Sequence, residues 1–160
     1  MARMRIPILT SLAMIAFAGN SLLCRAALKH TVIDPATFTS VRLLSGAIAL
    51  WFIVSMRTGT RARGGSWPSA LALFAYAAAF SFAYVDLSAG TGALLLFGAV
   101  QATMILFGLS RGERLNRWQA IGLAAALGGL VALLLPGLSA PPPRSAILMV
   151  GAGIAWGVYS

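Results

Sequence analysis

Acidic residues are the scarcest feature of this 160-residue chain: Asp34, Asp86 and Glu113 are all it has, beside one cysteine, Cys24, and one histidine, His30. A single cysteine excludes an internal disulfide and any multi-cysteine metal site, and a single histidine excludes a His-pair site. No metal and no cofactor is therefore expected. The apolar runs hold no Ser/His/Asp arrangement, no acidic pair and no Cys/His cluster, so an enzyme is not expected either. Charged residues amount to 9% of the chain, against about 25% in a soluble domain. Twelve Lys/Arg leave a net charge of +9. They sit in short turns between apolar runs rather than on one face, which argues against nucleic acid as a partner.

Long hydrophobic runs are what the chain does have. Ala89–Leu109 is 21 residues without a charge, and Trp118–Leu138 matches it. At about 1.5 Å per residue each crosses a hydrocarbon core of roughly 30 Å. The turn between them carries Arg111, Glu113, Arg114 and Arg117, which cannot stay in lipid, so these runs form a hairpin of two spans. Three further spans precede it: Ile6–Leu28, with Pro7 expected in its first turn, Ala36–Met56, and Trp67–Leu87. Ser88 reads as the N-cap of the fourth helix. Arg57–Ser66 is a Gly/Arg turn and Ser139–Arg144 a Pro-rich one, after which Ser145–Ser160 is a sixth apolar run too short for a full crossing. A cleaved signal peptide ending at Ser21-Leu22-Leu23-Cys24 is disfavoured, because Leu23 is not small and five more apolar runs follow.

Orientation follows from the basic residues. With the N-terminus inside, that side holds Arg3, Arg5, Arg57, Arg61, Arg63, Arg111, Arg114 and Arg117, and the other side Lys29 and Arg144. This is a strong positive-inside bias, and it predicts a cytoplasmic N-terminus. Sliding the chain by 139 positions sets Arg5–Ser21 on Arg144–Ser160, with seven of 17 positions identical and Phe17 matched to Trp156. A repeat of five spans re-enters from the opposite side, which is the inverted topology of many secondary transporters.

Phe17-Ala18-Gly19-Asn20-Ser21, the run from Pro35 to Arg42, Gly112-Glu113-Arg114-Leu115, and Trp118 through Gly128-Gly129 together resemble the EamA branch of the drug/metabolite transporter superfamily. The stretch Gly151–Ser160 is similar to the opening of that family's second repeat. The resemblance implies an all-α integral membrane protein: five transmembrane helices over residues 6–138, then a linker and truncated sixth helix over 139–160. It implies one half of an inverted-repeat, ten-helix exporter of small metabolites or drugs, working by alternating access in a bacterial inner membrane. Its partners would be the bilayer, a small-molecule substrate and a second five-helix half, in the same chain or another. The other reading is a non-transporting membrane component that packs on and modulates a partner. The fourth span departs from the family in carrying Ala99-Val100-Gln101-Ala102 where a proline is common.

Seven residues stand out for chemistry. Arg42, two turns inside the second span, either attracts an anionic substrate group or pairs with Asp86. Asn20 and Gln101 carry amides that need partners in a dry environment, from substrate or a neighbouring helix or, for Gln101, from water. Tyr84 ends a stripe with Tyr76 and Phe80 that is either a binding wall or helix packing. Arg25 is expected to snorkel outward with Lys29, in a structural or gating role it shares with Asp86. Glu113 reads as a cytoplasmic lock or a solubilising turn residue. The strip Ala124, Gly128 and Ala132, beside Ala125 and Gly129, is expected to pack against another helix.

Overall fold

Backbone polar groups in lipid must be satisfied within the segment, which favours helices in a chain this apolar. The computed structural model describes residues 2–56, 65–134 and 140–160. These form six helices: α1 (Ala2–His30), α2 (Pro35–Met56), α3 (Trp67–Ala83), α4 (Ala89–Ser110), α5 (Arg117–Leu134) and α6 (Pro143–Tyr159). No strand occurs among the described residues. Three helical segments, Ile6–His30, Pro35–Met56 and Ala89–Ser110, are long and apolar enough to cross a membrane, while α3 is a shorter apolar helix. The Gly/Arg turn at 57–64 and the end of the fifth run at 135–138 lie outside the described residues.

Local chemistry accounts for the helix ends. The Asp34 carboxylate accepts from the amides of Ala36 and Thr37 at 3.0 and 2.9 Å and so starts α2. Ser66 caps α3, and Ser88 caps α4 by accepting from the Thr91 amide, as the sequence predicts for Ser88. Helix α4 stops at a Schellman turn. There the Gly112 amide donates to the Leu109 carbonyl and the Glu113 amide to Gly108. Gly112 sits at φ +89°, a conformation that disfavours any side chain. Two ends differ from expectation. Helix α1 begins at Ala2, so Pro7 lies in its second turn and not its first. Helix α3 ends at Ala83 rather than running to Leu87, because Tyr84–Leu87 turn back toward α4.

The sequence points to the α4–α5 hairpin as the organising element, and the structure corrects this. Helix α6 packs more extensively than any other, lying between α3 and α4. Helix α5 touches α4 alone to any extent, and its side chains are mostly exposed. Glycine explains the close fit of α6. A Cβ on Gly153 would lie 2.6 Å from the Leu96 carbonyl oxygen and 2.5 Å from the Ala99 Cβ, and one on Gly157 would meet Thr103 at 2.7 Å. Small residues four apart let two backbones approach where lipid provides no net hydrophobic drive. The strip expected to do this on α5 is exposed at Ala124, Gly128 and Ala132.

Burial is polarised along the bundle. The buried side chains of α1, α2 and α6 (Ser21, Cys24, Leu28, Thr39, Ser145, Met149, Ala152) lie toward one end, together with Tyr76–Leu87 and Leu95–Ala99. That end is where α1 and α3 finish and α4 and α6 begin. Residues Ile6–Ala18 and Leu44–Met56, in the other halves of α1 and α2, are exposed throughout.

Replacing Gly153 by alanine is expected to push α6 off α4 and to lower stability by about 1–3 kcal/mol, the cost of overpacking a tight contact. Gly151→Ala, whose Cβ would meet nothing within 4 Å, is the control, and thermal unfolding in detergent measures both. At Asp34, hydrogen bonds from the Thr37 hydroxyl and amide, with that of Ala36, hold the carboxyl below the usual carboxylate range. A lowered folded-state pKa contributes stability above the unfolded pKa, near 3.9, and loses it as pH falls through the folded value. The gap in melting temperature between the protein and Asp34→Ala should be full at neutral pH and close below about pH 4.

Candidate intramembrane cavity and aromatic wall

A row of rings crosses the bundle because α3, α4 and α6 direct aromatic residues toward one another, and Phe17 of α1, itself exposed, lies against them. Trp156 on α6 is its centre. Its ring lies 5.1 Å from Tyr76 of α3, 5.4 Å from Phe17 of α1 and 5.8 Å from Phe97 of α4. Phe17 meets Phe97 edge-on at 5.7 Å. The row continues down α3, from Tyr76 to Phe80 at 5.5 Å and from Phe80 to Tyr84 at 4.6 Å. Such offset and edge-on pairs are favoured by the ring quadrupoles.

On the α5 side of this wall lies a cavity of about 730 Å³ between α1, α4 and α5. Phe17, Ser21, Phe97, Gln101, Ala125 and Gly129 are among the residues that line it. Its surface is apolar apart from the Ser21 hydroxyl and the Gln101 amide, the pattern of a small-molecule site with few orienting polar groups. Ala125 and Gly129, read from sequence as part of a packing strip, face this space instead.

Of the four residues proposed from sequence for substrate, Gln101 lines the cavity and the other three do not. Asn20 is half-buried one residue before the lining Ser21, and its side-chain oxygen is 3.7 Å from the Cys24 sulfur. Tyr84 is fully buried. Its hydroxyl donates to the Ala89 carbonyl at 3.2 Å, and its ring fills the space a side chain on Gly92 would need. Packing is thus the role the geometry gives Tyr84. Arg42 lies on the α2 side of the wall, with its guanidinium carbon 4.7 Å from the centre of the Phe80 ring and Nη2 donating to the Tyr76 hydroxyl at 3.1 Å.

The Arg42–Asp86 pair considered from sequence does not form. The Asp86 carboxylate accepts from the Ser145 hydroxyl at 2.5 Å. It sits at the start of α6, where the cap residue Pro142 makes no side-chain capping hydrogen bond and the helix dipole favours an anion. Arg25 does not snorkel outward. It reaches across to α3 and donates to the backbone carbonyls of Tyr84, at 2.7 Å, and Val85. A cation on the C-terminal carbonyls of α3 and an anion at the N-terminus of α6 thus lie at the same end of the bundle. Glu113 folds back over Gly108 at the opposite end of α4, exposed in its turn. Phe97 shares a face of the fourth span with Gln101 by its four-residue spacing, whereas Phe17 and Trp156 carry no sequence signal beyond the 139-residue offset that equates them.

Arg25→Met is expected to leave the α3 carbonyls without their charged donor and to destabilise the protein by about 1.5–3 kcal/mol. Faster limited proteolysis near Val85 should accompany the loss, whereas Lys29→Met should change neither.

No solved structure matches this chain. Among curated proteins it is similar to Uncharacterized protein PA1977 of Pseudomonas aeruginosa, at 62% identity over 155 residues. That alignment covers 96% of this chain and 54% of the relative, so the chain spans about half the length of the protein it matches. A sequence model of the EamA-like transporter family matches residues 4–135. With that match over most of its length, and with helices long and apolar enough to cross a membrane, the chain belongs to the EamA-like transporter family.

Proposed function

We propose that this chain is one half of a secondary transporter that exports small metabolites or drugs by alternating access. The observation that carries the reading is the cavity of about 730 Å³ among α1, α4 and α5, with Gln101 as its most polar lining side chain. Residues 6–138 form one five-span repeat in this reading, and 139–160 the linker and opening of a second. Two features favour the inverted arrangement. Arg25 and Ser145 fasten to the same α3–α4 turn, one late in α1 and the other early in α6, so these two helices run in opposite directions. Moreover Phe17 and Trp156, equated by the sequence repeat, touch each other. Residues in contact with their own symmetry mates lie beside the two-fold axis, and transporter sites sit at that repeat interface near the midplane.

A second half completes the cavity in this reading, whether from a longer product or a partner chain. The exposed N-terminal half of α1 is the surface it covers. The membrane is a bacterial inner membrane, and the N-terminus is cytoplasmic by the bias in basic residues. One observation favours the alternative, a non-transporting component that packs on another membrane protein: the small-residue strip of α5 is exposed at Ala124, Gly128 and Ala132.

Reconstitution into proteoliposomes, alone and with a second five-helix half, separates these readings. Transport of a small organic solute is expected with the second half present, and Gln101→Leu should slow it by about tenfold, the equivalent of one hydrogen bond of ~1.4 kcal/mol. Absence of solute movement in either preparation, with a partner membrane protein altered by co-expression, would favour the modulating component.

A further inference from the structure

Arg42 poses a charge problem that the chain does not solve. Its Nη1 is buried without a hydrogen-bond partner, and an arginine within a span is costly unless paired. The sequence holds three acids in all, and the structure accounts for each elsewhere. Asp34 caps α2, Asp86 receives the Ser145 hydroxyl, and Glu113 lies in the turn after α4. Two aromatic groups hold the guanidinium in place, the Phe80 ring beneath it and the Tyr76 hydroxyl on Nη2. Neither neutralises it, and Nη1 is left with its donors unused.

We infer that Arg42 is an anion-binding residue whose partner comes from outside this chain, namely the carboxylate or like oxyanion of the small organic substrate. The inference rests on the transporter reading above and names its substrate class: monoanions with a flat, apolar body. One observation selects that body: the guanidinium is joined through Tyr76 and Trp156 to Phe17 and Phe97, so the charge lies at one end of a row of rings. A planar oxyanion matches a guanidinium whose orientation is already fixed, and the charged pair is stronger in a dry site than in water.

Benzoate and benzamide differ in charge and hardly in shape, which makes them the test. Binding of each to the purified chain in detergent is measured by calorimetry, with no transport step involved. Benzoate is expected to bind at least about tenfold more tightly than benzamide, the equivalent of one charge-assisted hydrogen bond. Arg42→Gln should erase that preference, and Arg42→Lys should keep part of it. Tyr76→Phe, which frees the guanidinium without removing it, should weaken the preference while thermal unfolding shows the fold intact. It serves as the readout if Arg42→Gln does not fold. Equal binding of the two compounds, no binding of either, or a preference unchanged in Arg42→Gln overturns the proposal. So does a benzoate preference that disappears when a second five-helix half is added, because an acid of that half would then hold Arg42. Preference for benzoate without transport in vesicles sinks the transporter reading and leaves the anion site standing.

Discussion

The backbone approach of α6 to α4 at Gly153 and Gly157 is the constraint on which the rest of the structure depends. In lipid, two apolar helices gain little by merely touching, so the contact must come from packing at short range. Glycine at both positions brings α6 against the Leu96 and Val100 backbone, and α6 then occupies the space between α3 and α4. The two helices joined by the Tyr84–Ser88 turn are therefore separated by a helix distant in sequence. Trp156, one residue before Gly157, is carried to the middle of the bundle and becomes the ring that Tyr76, Phe17 and Phe97 meet.

Charge is the second constraint, and its scarcity makes each placement informative. Asp34 begins a helix, Asp86 sits at the start of another, and Arg25 covers the carbonyls where α3 stops short. These three act on helix ends, where backbone groups lack intrahelical partners. Arg42 differs from these three: its guanidinium lies over the Phe80 ring and donates to the Tyr76 hydroxyl, away from any helix end.

Helix positions were legible from the sequence because their causes are local. Span length, the Ser88 cap, the Asp34-Pro35 start and the turn at Gly112 follow from apolar runs and from residues within a few positions of each helix end. The places where the reading failed or stayed open share a cause as well. The sequence leaves Tyr84 as either binding wall or helix packing, and its ring fills the space above Gly92. Arg25 looked like a snorkelling cation until α3 was found to end four residues early, which exposes carbonyls within its reach. The small residues of α5 looked like packing and those of α6 were passed over, because spacing alone does not say which strip meets a neighbour.

By itself, then, the sequence determined that this is a chain of apolar helices, where most of them begin and end, and which charges fall inside them. Those properties depend on residues a few positions apart. Only the tertiary structure decided that α6 lies between α3 and α4, that Asp86 goes to Ser145 rather than Arg42, and that the cavity is walled by Phe17 and Phe97 with Trp156 behind them. These pairings join residues far apart in the chain, Asp86 and Ser145 by 59 positions, and they turn on which helix faces approach closely enough to exclude a side chain. In a chain whose surface is apolar on nearly every face, hydropathy does not distinguish a buried face from a lipid-facing one, and the choice falls to shape and to a few hydrogen bonds.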